Sequence, residues 1–143
     1  MSGAEYRSAT SLLAQQVAAF HRAYELPVRT SPTADVGSAQ QQLRLALIEE
    51  EVAELRDAAE SGDLVAVADA LADIVYVAYG TASVYGIDLD AVLSEVHSSN
   101  MTKLGADGAP VRRPDGKILK GPHYRAPDVK SILAAQQGDT LAE

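Results

Sequence analysis

Two long runs of helical apolar spacing, separated only by Ser61-Gly62-Asp63, constrain this chain more than any other feature. Leu45, Ile48, Val52 and Leu55 mark one stripe; Leu64, Val67, Leu71, Ile74, Val75 and Ala78 mark a second, broader one. Residues three and four apart share a helix face, so each run predicts an amphipathic helix with a face to bury. Ser38 followed by Gln41 is a capping-box signature for the first helix, which the pattern carries to about Glu60. Gly62 stops it, Asp63 can cap the second, and the second ends near Gly86. So short a connection makes the two helices antiparallel neighbours.

Leu13, Val17, Phe20 and Tyr24 predict an earlier helix from about Ser8 to Tyr24, followed by a loop from Leu26 to Gly37 that holds Pro27 and Pro32. Asp88 can cap a fourth helix, with Leu89, Val92, Leu93 and Val96 on one side, reaching about Lys103. The fold expected is all-α, a four-helix bundle. From Leu104 onward Gly and Pro recur every few residues, and Asp107-Gly108 and Asp115-Gly116 are turn dipeptides. They predict a basic Gly/Pro-rich loop or hairpin before a short terminal helix over Ser131 to Gln137. At 143 residues the expectation is one domain over 1–143, with a helical body over about 8–103 and a tail over about 104–137.

The absence of cysteine excludes a disulfide framework, thiolate zinc and a thiol nucleophile. Neither Met1 to Ala14 nor any later run reads as a signal peptide or membrane span, so we expect a soluble, cytoplasmic protein with no membrane partner. The formal charge of -8 argues against nucleic acid as a partner, but it is unevenly spread. Residues 1–100 hold fifteen acidic and five basic side chains; residues 101–130 hold three acidic and seven basic. An acidic helical body with a basic tail suits a metal and a phosphorylated ligand. The competing account is an acidic body that its tail merely neutralises.

The acidic residues cluster on the two neighbouring helices: Glu50, Glu51 and Glu54 on one, Asp69 and Asp73 on the other. With an azimuthal step of about 100° per residue, Glu50 and Glu54 lie roughly 40° apart, Glu51 and Glu54 roughly 60°, and Asp69 and Asp73 roughly 40°. Each cluster therefore faces one way. Facing one another they would repel, and a bound cation would remove that cost. Magnesium, which takes hard oxygen ligands and bridges carboxylates to phosphates, fits such a set; a solvated acidic face is the alternative. A di-iron bundle is excluded because no Glu-x-x-His pair is present, and His21, His97 and His123 have no metal-pair spacing.

Glu-Glu-x-x-Glu on one helix, a second acidic motif about fifteen residues on and four helices in all resemble the all-α nucleoside triphosphate pyrophosphohydrolases, the superfamily of MazG, dimeric dUTPases and HisE-type phosphoribosyl-ATP pyrophosphohydrolase. The segments Asp73 to Gly80, His97 to Lys103 and Asp115 to Pro127 look typical of a compact MazG-like branch with dUTPase-like and phage MazZ-type members. The resemblance implies a MazG-like bundle that hydrolyses a nucleoside triphosphate to its monophosphate and pyrophosphate with two or three Mg²⁺ ions, for which Mn²⁺ can substitute. It implies Glu51, Glu54 and Asp73 as principal metal ligands. Glu50 would either bind a further metal or orient and deprotonate the attacking water. The second motif is usually Glu-x-x-Asp, and this chain has Ala70 at the Glu position. Either Asp69 substitutes from one residue earlier, or one metal is held less firmly.

The resemblance further implies phosphate contacts from Asn100, Lys103, Lys120, Tyr124 and Arg125. Phe20, His21 and Tyr24, the Pro32-Thr33 loop and Tyr76 or Tyr79 are candidates for a base pocket, with core packing as the competing role. The candidate substrates are dUTP and (d)GTP, in control of a nucleotide pool. Phosphoribosyl-ATP hydrolysis is one alternative, and a non-catalytic nucleotide- or partner-binding protein, suggested by Ala70, is another. A homo-oligomer, dimer or tetramer, is also implied.

Overall fold

The computed structural model describes residues 10–138. Among these, the elements are α1 (Leu12–Ala23), α2 (Ser38–Ser61), α3 (Leu64–Tyr85), α4 (Leu89–Asn100), the short strands β1 (Val111–Arg112) and β2 (Ile118–Leu119), and α5 (Val129–Gly138). The protein is all-α, and the four long helices and the tail hairpin expected from sequence are present. The chain divides into two compact units, one ending at Leu89 and one beginning at Asp90.

Within the first unit α3 is the shared helix, packing against both α1 and α2. Local chemistry sets its ends. The Asp63 carboxylate accepts from the Ala66 N–H at 3.0 Å, and Gly86 adopts a left-handed conformation (φ 71°) that turns the chain out of the helix. The carbonyls that α3 leaves unpaired at this end are taken up by the loop after α1. Arg29 N–H donates to Ser83 O at 2.9 Å, Thr33 N–H donates to Tyr85 O at 2.9 Å, and the Arg29 guanidinium donates to Val84 O. Gly86 lies against the Ser31 carbonyl, where any side chain would collide.

Several details differ from the sequence expectation. α1 begins at Leu12, where the Ser11 hydroxyl accepts from the Ala14 N–H, while the expected start near Ser8 lies outside the described residues. Ser38 does not cap α2: it is the first helical residue, after Gly37, which provides no side-chain cap. α4 ends at Asn100 rather than near Lys103, and α5 begins two residues earlier than expected, with the Asp128 carboxylate accepting from the Ser131 N–H. The larger correction concerns the apolar stripes. Leu45 and Val52 of α2 and Leu64, Leu71 and Val75 of α3 are exposed, whereas Arg44 and Ala58 of α2 and Ala70 of α3 are buried. Ile48 and Leu55 of α2 and Val67, Ile74 and Ala78 of α3 are half-buried, and the row that steps by seven through Arg44, Glu51 and Ala58 runs along the same side of α2 as Ile48 and Leu55, so the expected stripes are only in part the inward ones.

α3 is also long and apolar enough, by length and composition, to cross a membrane, contrary to the expectation that no such run exists. Its carboxylates speak against that use, since an Asp at mid-membrane costs about 2.5–3.5 kcal/mol.

In the second unit β1 and β2 pair antiparallel, Val111 with Leu119 and Arg112 with Ile118. Their connection carries Asp115-Gly116, with Gly116 at φ 90° and Asp115 accepting from both Arg113 and the Lys117 N–H. The buried Ser99 hydroxyl donates to Arg125 O at 2.7 Å and ties α4 to the segment before α5.

Candidate functional site

α2 and α3 run antiparallel, and their facing stripes set the site. Arg44 and Glu51 are seven residues apart on α2, Asp73 and Gly80 seven apart on α3; two helical turns bring each pair to within roughly 20° of one azimuth. Where these stripes meet, one carboxylate oxygen each from Glu51, Glu54 and Asp73 lies within 4.8 Å of the other two. Glu51 and Asp73 are half-buried and Glu54 is exposed. Oε2 of Glu51 is shielded from solvent and has no hydrogen-bond partner.

That orphaned oxygen is expensive to leave as it is. Desolvation, then a hydrogen bond with Glu54, then repulsion from Glu54, Asp73 and Asp69 push the Glu51 carboxyl above its ordinary range. A divalent cation would answer all of these at once, supplying Oε2 with a partner and turning mutual repulsion into shared attraction. The donor set is all carboxylate oxygen, which suits magnesium or manganese.

Not every sequence candidate joins this triad. Glu50 is exposed and lies outside it. Asp69 is exposed and also outside, though its charge reaches Glu51. Ala70, at the position where the resemblance implies a Glu, is 2% exposed.

Phe20, Tyr24 and Tyr76 come together as an aromatic group. The Phe20 ring lies 4.7 Å from that of Tyr24 and meets that of Tyr76 edge-on at 5.6 Å. Tyr76 is three residues from Asp73, on the same side of α3. Phe20 and Tyr24 remain largely exposed, leaving aromatic surface open. His21 does not share that surface: it is 2% exposed, and its ring Nδ1 donates to Pro27 O at 2.9 Å.

The tail candidates belong to the second unit. Asn100 is exposed at the end of α4 and Lys103 is half-buried. The Lys120 ammonium sits 4.8 Å from the centroid of the Tyr124 ring. Arg125 is engaged inside the unit, its guanidinium donating to Glu95 at 2.5 Å. The Asp128 N–H and that guanidinium hold the Glu95 carboxyl below its ordinary range. Sequence reasoning overlooked Arg44 and Glu95. A seven-residue step leads from Arg44 to Glu51, which gives the two a shared side of α2 but not the direction in which that side faces.

Residues 17–100, more than half of the chain, match the phosphoribosyl-ATP pyrophosphohydrolase family. The chain belongs to that family. As a member of the phosphoribosyl-ATP pyrophosphohydrolase family it falls within the all-α MazG-like superfamily. The matched span takes in the whole carboxylate triad and the aromatic group, and it ends before the hairpin, Lys120, Tyr124 and Arg125. The chain is also 42% identical, over 79 residues, to an uncharacterized protein of Acanthamoeba polyphaga mimivirus, a match that covers 53% of this chain and 32% of that protein. The chain thus spans about a third of the length of the curated relative it matches.

Proposed function

We propose that this protein hydrolyses a nucleoside triphosphate, or a nucleotide carrying a triphosphate, to the monophosphate and pyrophosphate in a divalent-metal-dependent reaction. The observation that carries this reading is the carboxylate triad of Glu51, Glu54 and Asp73 with its orphaned Glu51 oxygen. These three side chains would hold magnesium. Bound there, the ion supplies neutralisation of phosphate charge and acidification of water. Glu50, exposed and adjacent on α2, is the carboxylate available to orient a water and take its proton. Asp69 adds negative charge that strengthens attraction for the cation. Phe20, Tyr24 and Tyr76 offer a stacking surface for a base, and the buried His21 supports it from behind. The resemblance, rather than any contact in the structure, supports Asn100, Lys103, Lys120 and Tyr124 as partners of phosphate oxygens, with Arg125 weakened for that role by its pairing to Glu95.

Two substrate classes follow. A dUTP- or (d)GTP-directed enzyme of nucleotide-pool control is favoured by the resemblance of the later segments. The matched family, by its description, favours phosphoribosyl-ATP. Both require water attack that releases pyrophosphate. A Mg²⁺-dependent assay across the common NTPs and dNTPs, dUTP and phosphoribosyl-ATP, with products resolved, is expected to show one preferred substrate giving monophosphate and pyrophosphate. Release of orthophosphate instead, or no turnover of any, would overturn the reading.

We further propose a cytoplasmic homo-oligomer, with the two units acting as parts of one domain. Leu64 is 79% exposed and Val65 81%, apolar side chains at the start of α3 that a second copy could cover. Light scattering on the full chain is expected to give a dimer or tetramer; a stable monomer at micromolar concentration would remove this part.

A further inference from the structure

Arg44 is 6% exposed, and no carboxylate among the described residues pairs with it. An uncompensated buried guanidinium is costly, and an apolar side chain would hold two helices together at less expense. What Arg44 does instead is directional. Its Nε–H donates to the Thr81 hydroxyl and a terminal N–H donates to Val77 O, both at 3.1 Å, while the Thr81 hydroxyl itself donates to Val77 O at 2.8 Å. The two acceptors come from residues one turn apart, but the Thr81 hydroxyl folds back on Val77 O, so the acceptor atoms form one compact target 2.8 Å across, and a guanidinium that places a separate N–H on each is fixed at one point along α3.

Gly80 makes this seat possible. A Cβ there would lie 2.6 Å from an Arg44 terminal nitrogen and 2.7 Å from Nε2 of His21. The guanidinium therefore rests on bare backbone, with the buried imidazole of α1 beside it, and three helices converge at one point. Near the carboxylates the fully buried side chains of α2 and α3 are alanines, Ala58 and Ala70, with the larger buried Val84 lying beyond Gly80 at the far end of α3.

The seat lies two turns from the triad on both helices at once, because Arg44 precedes Glu51, and Gly80 follows Asp73, by seven residues. We infer that Arg44, seated on Gly80, is a positioning residue that holds the α2 carboxylates in register with Asp73 before the metal arrives. Magnesium and manganese demand ligand oxygens placed to within roughly 0.5 Å, whereas slipping one helix by a single residue shifts its carboxylates by about 1.5 Å. Carboxylates that repel one another push the helices apart at the site, and the clamp resists that push without occupying it.

This inference rests on the metal reading above. The test is Mn²⁺ binding followed by electron paramagnetic resonance on the full chain, with folding monitored by circular dichroism. Arg44→Lys keeps the charge but loses the planar fork that sets Nε–H and a terminal N–H on separate acceptors. Gly80→Ala leaves Arg44 intact but displaces it. Thr81→Val removes one acceptor without changing shape, and decides the matter if the other two do not fold. Folded variants are expected to bind Mn²⁺ about tenfold more weakly, the scale on which supporting residues act at metal sites. Melting temperatures that fall while folded protein keeps wild-type affinity would show a purely structural clamp and overturn the inference. Failure of the wild-type protein to bind Mn²⁺ would instead sink the metal reading, and this inference with it.

Discussion

Glu51→Gln and Asp73→Asn, singly or together, are expected to abolish metal-dependent pyrophosphate release. Each swap preserves shape and removes one negative charge from a triad whose oxygens lie within 4.8 Å of one another. Phosphoryl chemistry depends almost entirely on positioning and charge stabilisation, so a loss of about 10²–10³-fold per substitution is expected. The two effects should not add, because a metal that has lost one ligand gains little from the other. Glu51→Gln carries a second, opposite expectation. It removes the carboxylate whose oxygen is orphaned, so the metal-free protein should melt higher at neutral pH even as activity disappears. Steady-state kinetics and thermal melts on the same samples check both; wild-type turnover in either variant would refute the site assignment.

The metal-free protein is expected to lose stability as pH rises from the carboxylate range towards neutrality, and Mg²⁺ is expected to restore it. Glu51 has a folded-state pKa raised above the ordinary 4.5, chiefly by desolvation and then by its acidic neighbours. A raised pKa means the folded state binds that proton more tightly than the unfolded chain. Its contribution is therefore complete below 4.5 and is lost as pH climbs through the raised value. Glu95, Asp115 and Asp128 act in the other direction, their pKa values being held down by hydrogen bonds from Asp128 N–H, Arg113 and Ser131 respectively. Their contribution is present above the ordinary range and fades only as pH falls below it, and solvent screens it. The two windows do not overlap, so the decline towards neutrality belongs to Glu51. At a hundredfold excess over Kd, a ligand that binds only the folded state adds about 2.7 kcal/mol. Melting curves from about pH 4 to 8 in EDTA and in Mg²⁺ make the comparison; parallel curves would mean that no ion enters the triad.

Much of this site is legible in the amino-acid sequence. Helical spacing puts Glu50, Glu51 and Glu54 on one side of α2 and Asp69 and Asp73 on one side of α3, the resemblance singles out Glu51, Glu54 and Asp73 among them, and Gly62 and Asp63 mark where one helix stops and the next begins. The role of Arg44 is not legible there, since a lone arginine in an amphipathic run ordinarily marks the solvent side. Only the packing of α2 on α3 turns it inward, onto a helix backbone that Gly80 leaves bare. The apolar stripes mislead only at Leu45, Val52, Leu64, Leu71 and Val75, which are exposed while Ile48, Leu55, Val67, Ile74 and Ala78 are half-buried: spacing reports which residues share a face, not which partner that face meets.

By itself, then, the sequence determined the helices, the break between α2 and α3 at Gly62 and Asp63, the turn at Asp115-Gly116 and the acidic residues that share a side, because capping, turn chemistry and periodicity act over a few neighbouring residues. Tertiary structure decided which stripe went inside, which three of five carboxylates converged, and that one Glu51 oxygen would be shut away from water without a partner. Those outcomes depend on the register between two helices. Register is set by contacts between residues that lie far apart in the chain, such as Arg44 and Thr81, and no local pattern encodes it.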